Sequence, residues 1–226
     1  MYIDNPIEKL FGTYSREEDF YFEKEVLPYA KNKDLNILEI GFGSGNFLSW
    51  AKDHGFKISG IEVDKNSLRF AKKQGFEIYD SLKEVSDENF EMIIAFDLLE
   101  HIDRKEINYF LQEISRVLKK GGLLIARFPN GDSAFSLVLQ NGHQSHLTHI
   151  GKGFIDSSSK QAGLTLIEYR NPAVVIKQRN IILTFLKLVK LMFRTAIEKI
   201  YSFIFFSDFK HPSSANALAV VVKLKK

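Results

Sequence analysis

Apolar residues along this chain alternate between two periods. Short apolar runs of strand length are separated by stretches in which apolar residues recur at helical spacing. Ile37, Leu38 and Ile40 mark a first strand over Asn36–Gly41, and Ile58 and Ile61 a second over Lys57–Glu62. A short third strand is predicted over Phe76–Tyr79. The fourth, Phe90–Phe96, is almost uninterruptedly apolar, as expected of a parallel strand buried on both faces. Leu123–Phe128 is the fifth. Helices are predicted over Gly45–His54, Lys65–Gln74 and Arg104–Lys119. The last places Ile107, Phe110, Leu111, Ile114 and Leu118 on one face, with Gly121-Gly122 as its stop. Glu17–Lys31 reads as an N-terminal helix covering the edge of the domain. After Pro129 the pattern loosens. Asn130–Ser145 reads as loop or short helix, Lys152–Ala162 as a helix, Leu164–Tyr169 as strand six and Ala215–Leu224 as the last strand.

Strand–helix alternation predicts an α/β fold, a doubly wound parallel sheet with helices on both faces and right-handed crossovers. In such sheets ligands sit at the carboxyl ends of the strands, where strand order reverses. Strand one belongs at that reversal. Residues 1–226 read as a single domain, with an amphipathic helical insertion over 174–214 between the last two strands.

Composition narrows the chemistry. Of 226 residues, 45% are hydrophobic and 26% charged, which is globular. A net charge of +3 is too mild to argue for a nucleic-acid partner, and none is expected. There is no cysteine, so disulfides, thiolate nucleophiles and zinc–cysteine or iron–sulfur sites are excluded. That usage fits a reducing cytoplasm. Met1–Leu10 lacks the basic-then-apolar pattern of a leader, and no run of about eighteen uncharged apolar residues occurs.

The most informative motif is Glu39-Ile-Gly-Phe-Gly-Ser-Gly45, between strand one and a helix. Gly41, Gly43 and Gly45 let backbone approach a ligand, and the helix N-terminus supplies free N–H donors. A dinucleotide fingerprint would be Gly-x-Gly-x-x-Gly. The tighter spacing, with an acid two residues ahead, suits a nucleoside lacking pyrophosphate, such as S-adenosylmethionine. Glu62, ending strand two, stands where an acid can accept both ribose hydroxyls. Asp80, after strand three, stands where an acid can accept from an adenine amine. Phe96-Asp97-Leu-Leu-Glu100-His101-Ile102 closes strand four. His101 is a candidate base with Glu100 orienting it, against the plainer reading of a helix cap. His143, His146 and His149 cluster in a loop after strand five. They suit a metal with Asp97 and Glu100, an anionic substrate, acid–base work, or solvated loop positions.

Ile37–Phe47, Ile61–Asp64, Asp80, Phe96–Ile102 and Val117–Leu123 together resemble class I S-adenosylmethionine-dependent methyltransferases. The likeness spans about Leu35–Tyr169. It is greatest to the small-molecule branch that holds quinone-biosynthesis O-methyltransferases and many surface-polysaccharide methyltransferases. It implies a Rossmann-like seven-stranded sheet, mostly parallel with an antiparallel last strand. It implies that Glu39, Gly41, Phe42, Gly43 and Gly45 wrap the methionine part of S-adenosylmethionine. Glu62 would hold the ribose and Asp80 touch the adenine, with Val63, Ser81, Phe96 and Asp97 as further cofactor contacts, and Asp97–His101 would line the reaction centre. Catalysis would fall to Glu100, His101, His146 and His149. Some relatives bind a divalent metal through a similar run plus a distal histidine, which here gives Asp97, Glu100, His101 and His149. The activity so implied is O-methylation of a small hydroxylated acceptor in capsule or lipopolysaccharide biosynthesis. Quinone O-methylation, RNA modification and a non-catalytic cofactor-binding module are the alternatives.

The insertion carries its own signal. In Ile181–Phe206, Thr184, Lys187, Lys190, Arg194, Glu198 and Ser202 form one narrow, mostly basic stripe. Nearly everything else is apolar, and such a helix cannot face water alone. Four packings are open: a membrane surface with the lysines at the head groups, a homodimer through 178–206, a lid over the site, or the core. The first would put a cytoplasmic enzyme at the inner face of the membrane.

Overall fold

The computed structural model describes residues 10–176, 180–206, 212 and 214–224. Residues 1–9, which carry most of the segment without a leader pattern, lie outside the described residues, as do 177–179, 207–211 and 213 of the predicted insertion.

Seven strands form one sheet, in the order β3-β2-β1-β4-β5-β7-β6. They are β1 (Asn36–Ile40), β2 (Lys57–Ile61), β3 (Glu77–Tyr79), β4 (Phe90–Phe96), β5 (Leu118–Pro129), β6 (Leu164–Arg170) and β7 (Asn216–Lys223). β1 pairs in parallel with β2 on one side and β4 on the other, so the order reverses beside β1. β7 runs antiparallel to both β5 and β6. The helices are α1 (Arg16–Val26), α2 (Asn46–Asp53), α3 (Lys65–Lys73), α4 (Ile107–Val117), α5 (Leu137–Asn141), α6 (Lys152–Gln161) and α7 (Ile181–Phe206).

Alternate residues of the central strands feed two core layers. Leu38, Ile93, Leu124 and Val221 pack on one face with Leu111 and Ile114 of α4. Ile37, Met92, Ile94, Ile125 and Val220 pack on the other with Phe22, Phe47 and Trp50 of α1 and α2. Each such fully buried side chain contributes about 1.5–3 kcal/mol. This burial fixes β1 and β4 side by side, and with them the two loops that form the site.

Two predicted boundaries move. α1 starts at a capping box, with Ser15 accepting from the Glu18 N–H and Glu18 accepting from the Ser15 N–H, and it ends at Val26 instead of Lys31. Leu27 still has helical dihedrals and bonds back to the Glu23 carbonyl, but Pro28 has no N–H to continue the ladder. α4 ends at Val117, ahead of the predicted Lys119 and Gly121-Gly122 stop. Leu118 leaves the helix to pair with Phe90 in the sheet, where it is fully buried. The glycine pair instead turns the chain within β5. Gly121 has φ 81°, and a Cβ on Gly122 would lie 2.8 Å from the Lys119 carbonyl oxygen.

α7 lies between β6 and β7 in the chain. Lys187, Glu198 and Ser202 of its polar stripe turn toward the protein body. Ser202 is 1% exposed, the Glu198 side chain 12%, and Lys187 Nζ stands 3.8 Å from Glu17. Lys190, Arg194 and most of its apolar residues are exposed.

Candidate functional site

The glycine loop leaves β1 at the sheet's reversal point. Gly41, Gly43 and Gly45 all take left-handed φ, at 75°, 48° and 72°. A Cβ on Gly41 would meet Leu98 at 2.9 Å and one on Gly45 would meet the Phe11 ring at 2.4 Å, whereas Gly43 faces open space. Phe42 is 4% exposed and packs edge-on against Phe11, so only its backbone is offered to a ligand. Glu62, half-buried at the end of β2, clamps the loop. It accepts from Gly43 N–H at 2.7 Å, Val63 N–H at 2.6 Å and Asp64 N–H at 3.1 Å. Its remaining lone pairs can still accept from a ligand. Val63 is 87% exposed beside it.

Glu39 sits beneath this loop, 5% exposed, with Oε2 buried and without a hydrogen-bond partner among the described residues. Burial pushes its pKa up to about 8, the Glu62 charge adds to the rise, and a Leu48 N–H opposes it. A buried acceptor without a partner beside open space at Gly43 is what a hydrogen-bonding nucleoside ligand would complete. Asp80 ends β3, exposed, with its N–H bonded to Glu84 and Lys72 at 3.8 Å. Ser81 follows at the start of a 3-10 turn.

At the end of β4 the chain turns sharply. Asp97 takes φ 53°, a left-handed geometry that a non-glycine residue holds only when its surroundings enforce it. Arg127 of β5 does so. Its carbonyl accepts from Asp97 N–H at 2.8 Å, its Nε donates to Asp97 Oδ1 at 2.9 Å and its Nη2 donates to Oδ2. The guanidinium lies 4.8 Å from the Tyr21 ring and 5.3 Å from the Phe96 ring. Phe96 packs among Tyr21, Phe22 and Phe47. Sequence reasoning missed Arg127. The available signal was a cation at the carboxyl end of an otherwise apolar strand.

The next turn carries Glu100 and His101. Glu100 is 3% exposed, its Oε2 also lacks a partner among the described residues, and burial pushes its pKa up to about 8. Its carbonyl accepts from Leu147 N–H at 2.7 Å and Thr148 N–H at 3.1 Å, which pins the histidine loop to this turn. His101 Nδ1 lies 3.0 Å from the Ser145 carbonyl oxygen. A carbonyl only accepts, so Nδ1 carries the proton and Nε2 keeps a lone pair. The His101 and His146 rings stand edge to face at 4.8 Å, and His143 stacks on His146 at 5.3 Å. Burial and the neighbouring His101 lower the pKa of His146.

These side chains line a cleft of about 450 Å³ together with Asp97, Pro129, Val138, Leu139, Gly142 and Asn216. Ligand atoms of Glu100, His101 and His146 lie within 4.8 Å of one another, a spacing that can hold a cation. The expected set of Asp97, Glu100, His101 and His149 is not brought together. Asp97 is turned to Arg127, and His149 is exposed and does not line the cleft. The Leu147 and Thr148 N–H bonds to Glu100 hold the loop so that His146, ahead of them, reaches the cleft.

Residues 11–169 match the methyltransferase-domain family. A ubiquinone biosynthesis O-methyltransferase of Pelagibacter ubique (strain HTCC1062) is 24% identical over 128 residues, covering 53% of this chain and 51% of that protein. The match therefore spans about half the length of that relative. Among solved structures, a SAM-dependent methyltransferase from Archaeoglobus fulgidus superposes with a TM-score of 0.64 at 18% identity, covering 96% of this chain and 97% of the other. One from Methanosarcina mazei gives 0.60 at 14% identity, covering 89% and 98%. The fold is thus shared with solved methyltransferases, and the chain belongs to the methyltransferase-domain family as a class I S-adenosylmethionine-dependent methyltransferase.

Proposed function

We propose that this enzyme methylates a hydroxyl of a small acceptor held in the Glu100–His101–His146 cleft. One observation carries the reading: a cleft beside the cofactor loop holds two facing imidazoles and a buried carboxyl. S-adenosylmethionine, when bound, supplies a methyl group activated on sulfonium sulfur. Glu39, the Gly41–Gly45 backbone, Glu62 and Asp80 would hold it, with Val63, Ser81, Phe96 and Asp97 as further contacts. The chain's own residues then orient the acceptor and take its proton. In the neutral ring of His101 the lone pair is on Nε2, and His146, with its lowered pKa, stays neutral near pH 7. Either can accept the hydroxyl proton. Glu100, largely protonated at that pH, can hydrogen-bond the acceptor or the imidazole. A divalent cation in the site would sit against Glu100, His101 and His146, ionising the carboxyl and polarising the acceptor oxygen.

For the acceptor we favour a polyhydroxylated sugar of surface-polysaccharide biosynthesis. The cleft's Asp97, Glu100, His101, His143, His146 and Asn216 offer many hydrogen-bonding groups to such a molecule. Among the described residues no Lys or Arg lines it, which argues against RNA. A quinol is the second reading, supported by the Pelagibacter relative. We place the enzyme in the cytoplasm, at the inner face of the membrane, and read the α7 segment as an insertion in one methyltransferase domain. A methyl-transfer screen against sugar nucleotides and quinols tests the acceptor. Turnover of sugar nucleotides is expected; turnover of quinols alone would move the assignment. Alanine at His101 and at His146 should each abolish most turnover, and alanine at His149 should not. Unchanged turnover in the first two would refute both the base and the metal roles.

A further inference from the structure

α7 is inverted relative to a helix that faces water. Thr184, Lys187, Glu198 and Ser202 turn toward the body, while Ile182, Phe185, Met192, Phe193, Ile200 and Phe203 are each more than half exposed. At about 100° per residue, the exposed apolar band runs from Ile181, 84% exposed, round to Ile197, 55% exposed, or roughly 160° of the helix. Lys190 stands along one edge of that band and Lys199 along the other, while Arg194 pairs with Glu198 on the inward stripe. The helix carries four cations, Lys187, Lys190, Arg194 and Lys199, against the single acid Glu198.

Two features identify what covers this band. A seam between two helices is a narrow stripe, and it would leave most of so broad a band in water. A lipid interface accepts the whole face and places flanking cations among anionic head groups. The helix lies along a surface and does not cross it: among the described residues no helix is long and apolar enough to span a membrane.

Apolar residues also link the flank of α7 to the cleft. The Phe135 ring lies 5.4 Å from Tyr201 of α7. Beyond it, Leu137 is 56% and Val138 81% exposed, and Val138 and Leu139 form the rim of the cleft.

We propose that α7 docks in the plane of an anionic bilayer, apolar face inward, and holds the apolar rim of the cleft at the lipid surface, so that the acceptor enters from the membrane. The docking stands on α7 alone; the entry route rests on the acceptor reading of the cleft.

The full chain should sediment with vesicles of phosphatidylglycerol and phosphatidylcholine. Lys190→Glu/Lys199→Glu should weaken this at least about tenfold, each lysine near the surface contributing to the attraction. Both side chains are exposed, so the variant should keep the native circular dichroism spectrum. Phe193→Trp adds a probe beside Trp50, the sole tryptophan, which is fully buried. Its emission should shift to the blue when the vesicles are added. No sedimentation, or sedimentation unaffected by the charge reversals, would overturn the proposal. A blue shift that follows protein concentration without vesicles, with a dimer in sedimentation velocity, would assign the face to a second copy and overturn it too. S-adenosylhomocysteine binding by calorimetry should be the same in all these variants. Its loss in the unaltered chain would instead count against the methyltransferase reading.

Discussion

Glu39→Gln should stabilise the ligand-free protein, by an amount set by pH. The side chain is 5% exposed and carries an oxygen with no hydrogen-bond partner among the described residues, so its charged form is disfavoured in the fold. Its pKa rises from 4.5 to about 8 on folding, mainly through burial, with the Glu62 charge adding to it. Below about pH 4.5 the carboxyl is neutral in both states and costs nothing. Between pH 4.5 and 8 the unfolded chain releases the proton and the folded chain keeps it, so stability falls as pH rises. At about 1.4 kcal/mol per pH unit the loss reaches at most about 5 kcal/mol by pH 8. Solvent penetration and relaxation around the loop should reduce it to a few kcal/mol. Glutamine cannot ionise and escapes the loss. Urea denaturation of both proteins at pH 5, 6, 7 and 8 should show a gap that widens steadily in favour of the variant. Glu100 carries a similar shift but is present in both proteins, so it cancels. A gap that stays flat over this range would mean that Glu39 is ionised in the fold, and the description of the loop floor would be wrong.

Glu62→Ala removes the acceptor of three backbone N–H groups around the glycine loop, and calorimetry should show S-adenosylhomocysteine binding weakened by at least about tenfold. Tight binding of NAD by the unaltered chain would contradict the cofactor assignment outright. Arg127→Ala leaves Asp97 without its bidentate partner and should weaken the same binding; Arg127→Lys should recover only part of it, because an ammonium cannot reproduce the fork. For the base, His146→Ala should lower turnover by about a hundredfold or more while leaving S-adenosylhomocysteine affinity in place. The acid limb of the pH–rate profile should then fall below the ordinary histidine value of 6.5, since burial favours the neutral ring; a limb above 6.5 would exclude His146 as the base. Ser15→Ala breaks the capping box of α1 and should cost about 1 kcal/mol in thermal unfolding.

Much of the site was legible because its chemistry is local. The three glycines form the turn between β1 and a helix that the motif predicts, and Glu62 stands at the end of β2 facing them. The His101–His146 pair needed one more fact, that the loop after β5 returns to the turn after β4. The Leu147 and Thr148 bonds to the Glu100 carbonyl supply it, and no periodicity encodes them. This is also why His146 and not His149 reaches the cleft. The resemblance puts Phe42 at the cofactor, a contact that only its backbone can make. Its side chain is spent in the core against Phe11.

By itself, the sequence determined what depends on neighbours in the chain: strand and helix identity, the glycine turn, the acid at the end of β2, and the excess of apolar residues on α7. The tertiary structure alone decided what depends on distant partners. It pulled Leu118 out of its helix to pair with Phe90, locked Asp97 against Arg127 of the adjoining strand, and turned Glu198 and Ser202 of α7 inward. Local patterning sets which faces of an element differ. Only packing across the sheet, where burial energies from many residues compete, chooses which face is covered.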